Sequence, residues 1–233
     1  MTFTVPTAEQ LLAIRVNADI ENLATHPRFA AASEDMVAAI IEGIGAFAAG
    51  EFAPLNRKGD QEGAVLANGT VTLPAGFAEA YRAYVEQGWN AIAAPEAFGG
   101  QGLPFTLATG VIESLGSANM AFTLLPLLTV GAIEALHHHG SPEQQATYLP
   151  RLVSGEWSGT MNLTEPQAGS DVGALRTTAT PITEGEYAGK YRIKGTKIFI
   201  TWGEHDLARN IVHLVLARTP GAPAGTRGIS LFI

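Results

Sequence analysis

Met161-Asn162-Leu163-Thr164-Glu165-Pro166-Gln167-Ala168-Gly169-Ser170-Asp171-Val172 is the stretch around which the chain is organised. The run from Ser158 to Thr164 is extended in character, and Pro166, which cannot donate to a sheet ladder, should stop the strand near itself. Gly169 can take positive φ without steric cost, so a sharp bend exposing backbone N–H groups is expected there. A concave row of such donors beside the Ser170 hydroxyl would suit a phosphate or a polar ring edge. Gly169-Ser170-Asp171 equally fits an ordinary turn.

The 233 residues can bury a substantial core, and a 46% hydrophobic content is globular rather than disordered. With no cysteine, neither a disulfide nor a cysteine metal site can form within this chain. A net charge of −8 argues against a nucleic-acid partner. The apolar stretch Met120–Leu128 is too short to span a bilayer, and Met1–Gln10 lacks signal-peptide character, so a cytoplasmic protein is expected.

The first two-thirds of the chain reads as helices. Thr7-Ala8-Glu9-Gln10 has capping-box spacing before Leu11, Leu12, Ile14 and Val16. Ser33 precedes a stripe of Val37, Ile40, Ile41, Ile44 and Phe47 that predicts a helix ending near Gly50. Pro54–Gly69 reads as an exposed connection. Pro74 is placed as the first residue of a helix carrying Phe77, Tyr81, Tyr84 and Val85, with Gly88 as its stop. Gly99, Gly100 and Gly102 exclude regular structure around them. Phe105–Leu115 and Ala121–His138 read as two buried helices, the second kinked or restarted at Pro126. His137-His138-His139 reads as a helix end rather than a metal site, because adjacent helical positions point apart. Ser141, Pro142 and Gln144 mark a further helix start, running to about Leu149.

After Trp157 the pattern becomes short and β-branched: Trp157–Thr164, Leu175–Thr180, Tyr187–Ile193, Lys197–Thr201 and Ile211–Arg218 are predicted strands. Helices followed by strands predict an α+β fold, with a helical domain over 1–156 and a small antiparallel β domain over 157–233. The chain ends on the apolar, strand-like Gly228–Ile233, so a longer native protein is expected.

Thr164-Glu165-Pro166-x-Ala168-Gly169-Ser170-Asp171-Val172 resembles a signature of the FAD-dependent acyl-CoA dehydrogenases. Two further stretches resemble that family in its order: Pro95-Glu96-Ala97-Phe98-Gly99-Gly100-Gln101-Gly102 upstream and Gly195-Thr196-Lys197-Ile198-Phe199-Ile200-Thr201 downstream. The resemblance covers nearly all of the chain from about Phe29. It implies an all-α helical bundle, then a β-barrel-like middle domain, with the family's C-terminal helical domain absent.

The reaction it implies is α,β-dehydrogenation of an acyl-CoA to a trans-2-enoyl-CoA. FAD would be held by Met161, Leu163, Thr164, Gly169, Ser170, Phe199, Ile200 and Thr201. Ser170, Gly99 and Gly100 would lie along the acyl-CoA. Electron-transfer flavoprotein or another acceptor, and a homodimer or homotetramer, are the partners implied. Phe199 stands where the family usually has Trp, and Met161 where many members have an aromatic. Gln167 and the N-terminal helical extension are similar to the larger, methylmercaptopropionyl-CoA dehydrogenase-like branch. No residue matches the motif of the family's catalytic base, a Glu of the later helical domain; Glu165 is expected to be structural. An acyl-CoA oxidase, or a non-catalytic flavin-binding stress or nucleic-acid-binding member, are the alternatives.

Overall fold

The computed structural model describes residues 3–233; Met1 and Thr2, the start of the stretch read above for a signal segment, lie outside the described residues. The chain forms two compact units, Met1–Ser158 with Glu204–Asn210, and Gly159–Gly203 with Ile211–Ile233. The α+β class, with helices first and a small β domain second, is the fold observed.

The first unit contains α1 (Thr7–Ala18), α2 (Ile20–Ala24), α3 (Glu34–Phe47), α4 (Ala53–Glu62), α5 (Phe77–Glu86), α6 (Phe105–His139) and α7 (Pro142–Val153). Two starts are capped as the sequence predicts. The Ser33 hydroxyl accepts from the Met36 amide, and Ser141 and Gln144 form a reciprocal capping box. Thr7 does not cap α1; Pro6 precedes the helix and Thr7 is already its first helical residue.

α3 does not stop near Gly50. It passes through a π turn, Ala48–Phe52, into α4, so most of the expected Pro54–Gly69 connection is helix. Pro54 is tolerated because it sits in the first turn of α4, where its missing N–H has no partner to lose. The remainder is an exposed antiparallel hairpin, β1 (Val65–Ala67) and β2 (Thr70–Thr72). Asn68 and Gly69 turn it with φ of 52° and 80°, the positive-φ pair that suits the twist of a tight hairpin.

α5 begins at Phe77 after Gly76 (φ 100°), not at Pro74. α6 is broken at Asn119 (φ −157°, ψ 87°), not at Pro126, which lies inside the helix. The Asn119 side chain spans the break. Its Nδ2 donates to the Phe52 carbonyl (3.3 Å), and its Oδ1 accepts from the Phe122 amide (3.1 Å) as an N-cap would. α7 runs on through Pro150 to Val153, one turn past Leu149.

Fully buried Ile41, Ile44, Phe52, Leu107, Leu115, Phe122, Leu149 and Leu152 form the core of this unit. The Phe52 and Phe122 rings stack 4.3 Å apart at 4°, and Phe77 packs on Phe122 at 4.8 Å. The runs Glu34–Glu62 and Phe105–His139 are long and apolar enough to cross a bilayer, yet both supply much of this core, as soluble core helices do.

The second unit is built on β3 (Trp157–Asn162), β4 (Thr178–Pro181), β5 (Tyr191–Lys194), β6 (Asn210–Ala217) and β7 (Ser230–Phe232). One sheet has the order β3-β6-β7, and β4 pairs with β5. β6 pairs β7 antiparallel with Val215 opposite Phe232, and β4 pairs β5 antiparallel with Ala179 opposite Ile193. A parallel bridge from Thr178 to Arg218 ties β4 to the end of β6. Val212 and Leu214, two apart on β6, define its inward face, and Ala179 and Ala217 are buried as well. Lys197–Thr201 is not a strand, because Phe199 and Trp202 adopt positive φ (56° and 55°) and break the extended path.

The Asn119 bridge should carry measurable stability. Asn119→Ala leaves a carbonyl and an amide without their side-chain partner in the core, at a cost of about 2 kcal/mol. Urea denaturation of the two forms checks this.

Candidate functional site

Glu165 organises the second unit. Its carboxylate is 3% exposed and accepts from the Arg176 amide (2.7 Å), the Thr177 amide (3.0 Å), the Gln167 side chain (2.6 Å) and the Lys197 ammonium (2.9 Å). Burial pushes its carboxyl up, but hydrogen bonds from Thr177, from the Arg176 amide and from Lys197 outweigh it and hold the group well below the usual carboxylate range. A buried charge persists only with such partners. These donors also explain why β4 starts at Thr178 rather than Leu175: the amides of Arg176 and Thr177 are spent on Glu165.

The signature bends at Pro166-Gln167. Glu165 and Ala168 exchange both backbone hydrogen bonds (2.9 and 3.0 Å) around that pair. Gly169 is not in the left-handed region, so the bend expected there is made two residues earlier. Gly169, Ser170 and Asp171 follow exposed, leading to a short 3-10 turn over Val172–Ala174. Arg218 holds that turn from behind, donating to the carbonyls of Gly173 (2.6 Å), Leu175 (3.0 Å) and Pro223 (3.0 Å).

The third quoted stretch lies against the first. A Cβ at Gly195 would collide with the Thr177 hydroxyl, so glycine is what lets the chain pass there. Lys197 then donates to the Leu163 carbonyl (2.9 Å) as well as to Glu165, and the Ile198 amide donates to the Thr164 carbonyl (3.0 Å). Leu163 and Thr164 are thereby tied to Lys197 and Ile198, the residues just before Phe199, Ile200 and Thr201 in the chain. Phe199 stands out: its side chain is 87% exposed on a backbone at φ 56°. A bulky residue in that conformation is uncommon and marks strain that the surroundings sustain. Among the described residues, no group pairs with the hydroxyls of Thr164, Ser170 or Thr201.

Gly99 and Gly100 belong to the helical unit. Their loop is internally bonded, Gly100 N to Pro95 O and Gly102 N to Ala94 O (both 3.0 Å), and a Cβ at Gly100 would collide with the Ala94 carbonyl. His137, His138 and His139 are the last residues of α6, and among the described residues no cluster could hold a metal ion.

Ser158 and His205 meet at 3.0 Å, a contact sequence reading missed. They do not form a hydrolytic pair. His205 Nδ1 accepts from the Leu207 amide (3.1 Å), so Nε2 carries the proton and donates to Ser158, the reverse of what a base needs. Burial pushes the imidazole below its ordinary value, against the raising effect of Glu204 and Asp206. Lys197, Gly195 and Arg218 were likewise not singled out as structural anchors; only the fold reveals their carbonyl and carboxylate partners.

Comparison with known proteins identifies the family of both units. The acyl-CoA dehydrogenase N-terminal domain model matches residues 35–156 and the acyl-CoA dehydrogenase middle domain model matches residues 160–233. The chain belongs to the acyl-CoA dehydrogenase family. A 3-methylmercaptopropionyl-CoA dehydrogenase of Ruegeria pomeroyi is 48% identical over 233 residues, covering 100% of this chain and 39% of that protein. Among solved structures, one titled as the electron transferring flavoprotein of Acidaminococcus fermentans is 28% identical with a TM-score of 0.67, covering 84% of this chain and 46% of that one. Another, PigA with FAD and proline, is 26% identical with a TM-score of 0.66 and the same coverage, 84% and 46%. The chain thus spans less than half the length of these relatives.

Because Glu165 is held below its ordinary range, its contribution is full above the unfolded carboxyl value, near 4, and drains away as pH falls through the lower folded one. Glu165→Gln should cost about 3 kcal/mol at pH 7, by stranding Lys197. The gap between variant and wild type should narrow below about pH 4. Denaturant midpoints from pH 3 to 7 measure it; a constant gap would contradict this account.

Proposed function

We propose that this chain forms the helical and middle domains of an FAD-dependent acyl-CoA dehydrogenase, divided at Glu156/Trp157. The observation that carries the reading is Phe199, an aromatic 87% exposed at φ 56°, directly after Ile198, whose amide is bonded to the Thr164 carbonyl. An aromatic face with polar groups at its margin fits an isoalloxazine ring, which is planar and polar along its edges. PigA, of the same fold, is described with FAD.

Met161, Leu163 and Thr164 would lie along the ring, Phe199, Ile200 and Thr201 would cover another edge, and Gly169 with Ser170 would serve the pyrophosphate. FAD, when bound, accepts the hydride that leaves the substrate's β carbon. The acyl-CoA would run past Ser170. The Ruegeria relative's name makes a short sulfur-containing acyl-CoA a first substrate to try. Electron-transfer flavoprotein, or another acceptor, would take the electrons onward, and the whole protein would be a homodimer or homotetramer.

Glu165 is not the base in this reading. Four donors surround its carboxylate, so no acceptor capacity faces a substrate. With no other residue in the family's base motif, this chain alone should hold flavin without turning over substrate.

The purified chain titrated with FAD should turn yellow and quench flavin fluorescence. Phe199→Ala should weaken FAD by about tenfold, since the stacking lost is worth about 1.4 kcal/mol. Incubated with acyl-CoA and an artificial acceptor, the loaded chain should leave the acceptor oxidised. Failure to bind FAD at all, or turnover by this chain alone, would overturn the corresponding half of the reading.

A further inference from the structure

The Phe199 backbone raises the question of what keeps it strained. Its anchors lie on either side. Before it, Lys197 Nζ reaches the Leu163 carbonyl and Glu165 Oε1, both at 2.9 Å, and the Ile198 amide reaches the Thr164 carbonyl at 3.0 Å. After it, the Gly203 amide closes a turn on the Ile200 carbonyl at 3.0 Å. Between these ties, residues 199–202 make no regular ladder, and the four-residue stretch contains two aromatics at positive φ. Positive φ at bulky residues stores strain that the ties around the stretch must sustain. The ammonium is the stronger tie, because it is 10% exposed and its carboxylate partner 3% exposed, where charge-assisted bonds are least screened.

Lys197 therefore performs two tasks. It neutralises Glu165, which the amides of Arg176 and Thr177 also hold, and it draws the end of β3 against the segment bearing Phe199. We propose that the buried Lys197–Glu165 pair is a positioning device: by clamping the carbonyl of Leu163 it fixes the 198–203 backbone, and so presents Phe199 and the Thr164 and Thr201 hydroxyls to the flavin. The flavin clause rests on the FAD reading above; the backbone clause stands on this unit alone. Neither residue touches the cofactor in this account. Their effect passes through the main chain of Leu163, Thr164 and Ile198.

The test separates positioning from plain stability. Removing one charge strands the other, so the informative variant is the double one, E165Q/K197M, because replacing both members of a buried pair is often close to neutral. K197Q is the second variant; it keeps a donor toward Leu163 and Glu165 without the charge. Three quantities are read on the 233-residue chain: the thermal midpoint, amide hydrogen exchange across 196–203 in the FAD-free chain, and FAD affinity by fluorescence quenching. E165Q/K197M should melt within a few degrees of wild type, exchange at least tenfold faster across 198–203, and bind FAD at least tenfold more weakly. K197Q should fall between the two in exchange and FAD affinity, while melting below both because it strands the Glu165 charge. Unchanged exchange across 198–203 in whichever variant folds would overturn the proposal, as would faster exchange with undiminished FAD affinity. If the wild-type chain takes up no FAD, the cofactor reading fails, and the exchange comparison still decides whether the pair fixes the backbone.

Discussion

A buried carboxylate facing a buried ammonium is expensive unless every remaining lone pair is met, and the second unit is arranged to meet them. Glu165 gathers two amides, a carboxamide and Lys197 from three separate segments. Each segment is bent to reach it. The Pro166-Gln167 turn brings Gln167 back, the start of β4 gives up the amides of Arg176 and Thr177, and Gly195 lets the third segment pass close enough for Lys197 to arrive. The charge pair contributes little net stability for its cost, but it allows few alternative arrangements. Register and loop path follow from it.

The helical unit solves a comparable problem with a neutral group. A π turn at Ala48–Phe52 and a break at Asn119 are each irregular, and one side chain reconciles them by bridging the Phe52 carbonyl to the Phe122 amide. The stacked Phe52 and Phe122 rings sit at the same place, so the polar bridge lies within the aromatic core rather than at its margin.

Much of this was legible beforehand. Ser33 and Ser141 announced their helices because capping is local chemistry, and the apolar stripe of α3 is a one-sided pattern that only a helix satisfies. The change to β-branched residues after Trp157 located the sheet. The α3–α4 continuation is hidden because Pro54–Gly69 is polar and contains glycine, a composition that suits a loop, and Asn68-Gly69 within it is a hairpin signal. Lys197–Thr201 looked like a strand by composition, yet the Lys197 ties and the positive φ of Phe199 override propensity. At the site, the three motif stretches were visible as sequence. The coupling of the first and third through Glu165 and Lys197 was not, because a long-range ion pair leaves no periodicity to read.

The hairpin tip has a practical consequence. Val65 and Leu66 are 57% and 71% exposed, and Asn68-Gly69 projects between α4 and α5 with no Cβ contact at Gly69. A surface tip of this kind accepts added chain without disturbing buried neighbours. A fluorescent reporter or an epitope tag spliced between Asn68 and Gly69 would label this protein while both of its cores stay shut.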